Sequence, residues 1–262
     1  MQGVADKVKI RLGIDSGRRV ILDLGVPLLV SANSMWDNDK KRFRGYRSYI
    51  GRDVALDSSG FTAMKLYGGY RWTAEQYADL AKKLNPTWWA QMDFCCEPEI
   101  AGSRAEVERR IQKTIEGLAL CQSAASAISI GEPMPVLQGY EPSDYVSGPI
   151  FDKPFPTLVG VGSVCRRHLK GRNGLLAVVD SIHSALPPHV ELHLFGVKGP
   201  ALETLMNEFP RRQLHSDSCA YGVAARREAK KLGIPKDSAM LQRHAIEWLR
   251  RNDFEREDQF RL

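Results

Sequence analysis

The 262-residue sequence has no run of about 18 apolar residues, so it predicts no membrane-spanning helix. Its five cysteines, at 95, 96, 121, 165 and 219, fall into no metal-ligand spacing. That count excludes a disulfide scaffold and predicts reduced thiols and no structural zinc. Neither a Gly-x-Gly-x-x-Gly behind a first strand nor a Walker A loop is present, which removes the commonest nucleotide-binding folds. The opening stretch Met1–Lys9 lacks the apolar core of a signal peptide, so a soluble protein is expected. Large charge excess is absent too. Thirty-seven Lys and Arg against 31 Asp and Glu give +6, which permits a polyanionic partner without demanding one.

What is present reads as an ordinary globular chain, 43% hydrophobic and 26% charged. Its length suits a single α/β domain with a large core. Short apolar runs predict strands at Val26–Val30, Val54–Leu56, Trp88–Met92, Pro135–Leu137, Leu158–Val161, Val190–Phe195 and Gln213–His215. An eighth is expected within Gly45–Gly51. Amphipathic stretches lie between them. Thr73 with Gln76, and Ser103 with Glu106, carry the capping-box signature of helix starts. Further helical faces run through Leu175–Leu186, Leu202–Phe209 and Leu241–Leu249. Strand-helix alternation implies parallel pairing, because parallel neighbours need a long crossover. The expected architecture is one (β/α)8 barrel over residues 1–262, with 1–24 as a lead-in and about 222–262 as C-terminal helices.

The informative residues stand where strands end. Asp57-Ser58-Ser59-Gly60-Phe61 follows the strand at 54–56, Asp93 the strand at 88–92, and Gln138-Gly139 the strand at 135–137. Gly162-Ser163, Gly196-Val197-Lys198-Gly199 and Ser216-Asp217-Ser218 close the later ones. In a barrel these ends converge on the face that carries active sites. One Asp before Ser and Gly serves equally well as a turn or helix cap. Three carboxylates and an amide at the same end of successive strands predict a polar site.

Six segments in this order resemble those of the tRNA-guanine transglycosylases. Asp57–Phe61 is similar to Asp-Ser-Gly-Gly-Phe, Met92–Cys95 to Phe-Asp-Glu-Cys, and Val136–Gly139 to Val-Gln-Gly. Gly160–Ser163 resembles Gly-Gly-Leu-Ala, Leu194–Val197 Leu-Met-Gly-Val, and His215–Cys219 falls where Phe-Asp-Cys stands. The matches cover residues 54–219. Departures are as telling: the family's Cys-x-Cys-x-x-Cys zinc subdomain is missing, Ser59 replaces a Gly, and Thr62 a Gln. The chain therefore looks most like the short phage and bacterial branch that inserts 7-deazaguanine bases into DNA.

The resemblance implies exchange of guanine in DNA for a preQ0-type base, with no cofactor. It makes Asp217 the nucleophile that traps the sugar. Asp57 is then the general acid/base, a division of labour like that of retaining glycosidases. Asp93 is expected to accept from guanine N1–H and its amino group, with Gln138, Gly139, Gly162 and Ser58 completing the base site. A duplex base reaches such a pocket only when flipped out. Phosphate contacts are expected from Arg42, Arg44, Arg47, Arg166, Arg167, Arg226, Arg227 and Lys230, which sit in three basic stretches. Alternatives are the same reaction on tRNA or another RNA, and a purine- or nucleic-acid-binding barrel without catalysis. His193 and His215 read as satisfied barrel histidines. A cytoplasmic location is expected, the host's if the chain is phage-encoded.

Overall fold

The computed structural model describes residues 8–14, 19–197 and 199–252. The strands are β1 (Lys9–Ile14), β2 (Leu28–Ser31), β3 (Trp36–Asp37), β4 (Arg42–Phe43), β5 (Val54–Asp57), β6 (Val136–Leu137), β7 (Leu158–Val161), β8 (Glu191–Leu194) and β9 (Leu214–Ser218). The helices are α1 (Arg19–Leu22), α2 (Gly60–Tyr67), α3 (Ala74–Leu84), α4 (Arg104–Ala127), α5 (Leu175–Ala185), α6 (Gly199–Glu208), α7 (Ala220–Leu232) and α8 (Ser238–Asn252). Seven strands form one curled, wholly parallel sheet in the order β5-β2-β1-β9-β8-β7-β6. β3 and β4 make a separate antiparallel ribbon.

The sheet stops short of a regular closed barrel. Its edges β5 and β6 are joined only by isolated bridges, Leu56 to Trp89 and Ala90 to Met134. The strand expected at Trp88–Met92 is therefore not a regular one. Gln91 gives the reason: its side chain, 1% exposed, takes the ladder's place. Gln91 Oε1 accepts from Val136 N at 2.9 Å, and Nε2 donates to Thr114 O at 2.5 Å. Once a side chain satisfies the β6 backbone, the segment is released to turn Asp93 inward.

Two other expectations change. Gly45–Gly51 is no strand: Gly45 is left-handed (φ 75°) and opens a 3-10 helix at Tyr46–Tyr49. Ser48 Oγ closes that turn on Gly45 O at 3.1 Å. The stretch read as a lead-in instead holds β1, at the centre of the sheet between β2 and β9. Lys9 and Arg11 disguise it in the sequence. Arg11 pairs with Asp53 at 2.7 Å and its guanidinium lies 5.7 Å from the Trp88 ring, so a cation occupies a strand position without being left unpaired. The lead-in before Val8 and the tail from 253 onward lie outside the described residues.

Helix starts follow the sequence more closely. Thr73 and Gln76 form the full reciprocal box, whereas Ser103 accepts from Glu106 N without the return bond. Two large apolar clusters hold the layers together. One packs β1, β2 and β5 against α1, α3, α7 and α8, and the other packs β7 and β8 against α5 and α6. Among the described residues no helix is long and apolar enough to cross a membrane.

Candidate active site

Because the sheet is parallel, the C-terminal ends of its strands open on one face. There a cavity of about 380 Å³ is lined by Asp57, Asp93, Gln138, Gly162 and Asp217, with Phe61 and Phe195 as apolar walls. Five of the residues expected from the sequence thus meet at one place, brought there by β5, the 88–93 segment, β6, β7 and β9. Asp217 belongs to β9 itself rather than to the loop after it.

Asp93 is buried, with one donor held on each of its oxygens. Ser58 Oγ donates to its Oδ1 at 2.7 Å, and Gln138 Nε2 donates to Oδ2 at 2.5 Å. Tyr70 takes the backbone: its hydroxyl donates to Asp93 O at 2.8 Å and accepts from Asp93 N at 2.9 Å. Gln138 Oε1 accepts in turn from Ser163 Oγ at 2.6 Å, so both ends of the amide are held. Burial raises the Asp93 carboxyl above its ordinary range, and the bonds from Ser58, Gln138 and Tyr70 pull against it.

Glycine is obligatory at two of these positions. A Cβ on Gly162 would lie 2.1 Å from Gln138 Nε2, and one on Gly60 would lie 2.5 Å from Asp93 O. Both let the backbone pack closely against the Asp93–Gln138 pair. Ser59, just before α2, sits in the left-handed region (φ 67°) and is held there by Ser31 Oγ at 2.6 Å.

Asp57 has a different environment. Burial, then the negative charges of Asp93 and Asp217, push its carboxyl up to about 8, against a bond from the Ser59 backbone. The shift favours its neutral form at neutral pH, in a cavity it shares with the other carboxyls. That is the condition of a general acid. Asp217 Oδ1 accepts from Gly196 N at 2.8 Å, which fixes one of its oxygens.

The remaining expected residues divide. Ser58 stands behind Asp93 as its donor. Gly139 does not line the cavity: its carbonyl accepts from Tyr145 Oη at 2.7 Å, and a Cβ there would meet Asp144 Cβ at 2.4 Å. Arg42 and Arg44 on the ribbon and Arg47 after it are exposed, on a connection that leaves the C-terminal end of β2. Arg44 lies 3.4 Å from Asp37. An aromatic chain ties the ribbon to the site: Trp36–Phe43 at 5.0 Å, Phe43–Trp72 at 5.3 Å, Trp72–Tyr70 at 5.5 Å. Arg166 pairs with Glu99 and covers the Phe61 ring at 5.0 Å, at the rim. Arg167 turns inward, donating to the carbonyls of Ser163, Tyr140, Asn173 and Gly139. Arg226, Arg227 and Lys230 are exposed along α7.

Sequence reasoning missed Tyr70, Ser163 and Glu97. Ser163 lay inside a matched motif and carried a signal; Tyr70, in a Gly-Gly-Tyr loop, carried none. Glu97 is buried, lines the same cavity and lies 3.0 Å from Ser163 Oγ, where it competes with Gln138 Oε1 for the one hydroxyl proton. His193 is a second correction. His215 is satisfied by Glu191 at 2.6 Å, but neither ring nitrogen of His193 has a hydrogen-bond partner.

A parallel α/β sheet with four carboxyls and a hydrogen-bonded amide in one mouth defines a polar site of the kind enzymes use. The chain belongs to the DpdA family, DeoxyPurine in DNA protein A, whose model matches residues 10–260. Membership makes it a transglycosylase-type enzyme of DNA deazapurine modification, with DNA as its partner. No curated protein matched the chain.

Proposed function

We propose that this chain exchanges guanine in DNA for a 7-deazaguanine base of the preQ0 type, through a covalent glycosyl intermediate on Asp217. The fold is then a (β/α)8 barrel whose eighth stave is the irregular 88–91 segment. The observation that carries the reading is the contrast between carboxyls in one cavity: Asp57 buried with its carboxyl pushed up to about 8, Asp93 held by Ser58 and Gln138, and Asp217 tethered through one oxygen.

A guanosine flipped from the duplex enters with its N1–H and amino group on Asp93. The second N–H of Gln138 Nε2 meets O6. Adenine offers an acceptor at N1 and would leave Asp93 facing it unpaired, so guanine-like bases are selected. Asp217 then attacks C1′ as the C1′–N9 bond breaks through an oxocarbenium-like transition state. The bonding pair leaves with guanine, which takes the Asp57 proton. Guanine departs, the deazaguanine enters, and Asp57, now a carboxylate, removes its N9 proton. N9 attacks C1′ and frees Asp217. The exchange is redox-neutral and both proton transfers fall to Asp57, so the chemistry calls for no cofactor. The proposed location is the cytoplasm. The exposed Arg42, Arg44, Arg47, Arg166, Arg226, Arg227 and Lys230 supply phosphate contacts, with RNA as the competing polymer.

The test is incubation with DNA or RNA and isotope-labelled preQ0, digestion to nucleosides and mass identification. Label in deoxynucleosides, lost in D217A, is the expected result. Label in ribonucleosides alone, or binding without exchange, overturns the proposal.

A further inference from the structure

His193 lies on β8, wholly buried, with both ring nitrogens unpartnered. Its ring is packed edge-on between Trp88 at 4.8 Å and Phe195 at 4.6 Å between centroids. A phenyl ring would fill such an aromatic slot with no nitrogen to desolvate, whereas an unsatisfied imidazole costs stability. Buried groups of this kind call for an explanation. The direction of the ring supplies one: Nε2 is 3.4 Å from Asp217 Oδ1, just off a hydrogen-bond line. The other charged or titratable groups around it are committed elsewhere. His215, centred 6.5 Å away, is bonded to Glu191, and Arg11 beyond Trp88 is paired with Asp53.

We infer that His193 is a positioning residue for the Asp217 nucleophile: its Nε2–H closes onto Oδ1 beside the Gly196 N–H and leaves Oδ2 to attack C1′. Strand register makes this possible. His193 pairs with His215 and Leu194 with Ser216, so Asp217 lies two residues beyond the imidazole's partner, on the same face of the neighbouring strand. Two donors on one oxygen make the carboxylate's oxygens inequivalent. They also receive the negative charge returned to Asp217 when the sugar–oxygen ester breaks in the second half of the exchange. The bond therefore tightens in the charged states and loosens in the ester. The role rests on the transglycosylase reading; the tautomer it needs does not.

Two measurements keep these apart. In 15N-histidine-labelled protein, His193 is expected as the Nε2–H tautomer; an Nδ1–H tautomer overturns the inference whether or not the enzyme exchanges bases. In guanine exchange on DNA, H193F keeps the aromatic packing and removes the donor. Its melting temperature should equal or exceed the parent's, while kcat falls roughly 10–100-fold and KM for the base stays within about threefold. H193Q, which restores an N–H, should recover part of kcat. An H193F kcat equal to the parent's, or H193Q no faster than H193F, overturns the role. A parent protein that exchanges no guanine overturns the transglycosylase reading instead, and the tautomer still decides the hydrogen bond.

Discussion

Gln138 and Asp93 form one rigid unit: the amide donates to Asp93 Oδ2 at 2.5 Å, while Ser163 holds its other end at 2.6 Å. Neither side chain can turn without breaking a buried bond, so the polar edge they present to the cavity is preorganised.

Gly162 is the position at which this unit is most easily broken. A Cβ there would lie 2.1 Å from Gln138 Nε2. G162A should cost about 1–3 kcal/mol of stability by overpacking. Displacing Gln138 should lower base exchange roughly tenfold or more, since one lost donor is worth that much. Thermal melts and guanine-exchange rates measure the two effects separately.

Asp57 makes stability depend on pH. Its carboxyl titrates at about 8 in the fold against an ordinary 3.8. A group raised in the folded state contributes stability that is full below the unfolded value and is lost as pH rises through the folded one. The fold should weaken between about pH 4 and 8, at up to about 1.4 kcal/mol per pH unit from this group. D57N, permanently neutral, should show a flatter profile in urea denaturation at pH 5 and 8. In the parent, first-step activity should fall above about pH 8, and D57N should not exchange.

Asp217 should be indispensable and locally inessential to the fold. D217A is expected to lose roughly a thousandfold or more in exchange, together with any covalent protein–DNA adduct on denaturing gels. An adduct persisting in D217A would move the nucleophile elsewhere.

Arg167 and its neighbours should separate in kind. Arg167 holds four backbone carbonyls and the Tyr145 hydroxyl, so R167A should cost about 2–3 kcal/mol of stability. R42A, R47A, R226A and R227A should each leave the melting temperature unchanged. Those that contact phosphate should weaken DNA binding and reduce the salt slope by about one.

The sequence by itself determined which polar residues stand at each strand end and much of the local structure. Asp57, Asp93, Gln138, Gly162 and Asp217 were legible because each follows or closes an apolar run, and Thr73 with Gln76 because a helix cap is written within four residues. Such signals are short-range, and short-range physics suffices to read them. Only the tertiary structure placed β1 at the sheet's centre, since Arg11 looks like a surface residue until Asp53, 42 positions away, pairs with it. Only there is the Asp57 carboxyl raised, by burial and by charges from two other segments. The fate of Arg167, the part played by Tyr70 and the unpartnered nitrogens of His193 belong to the same class. Each depends on strand register and curl, which bring together groups whose separation along the chain carries no periodic trace.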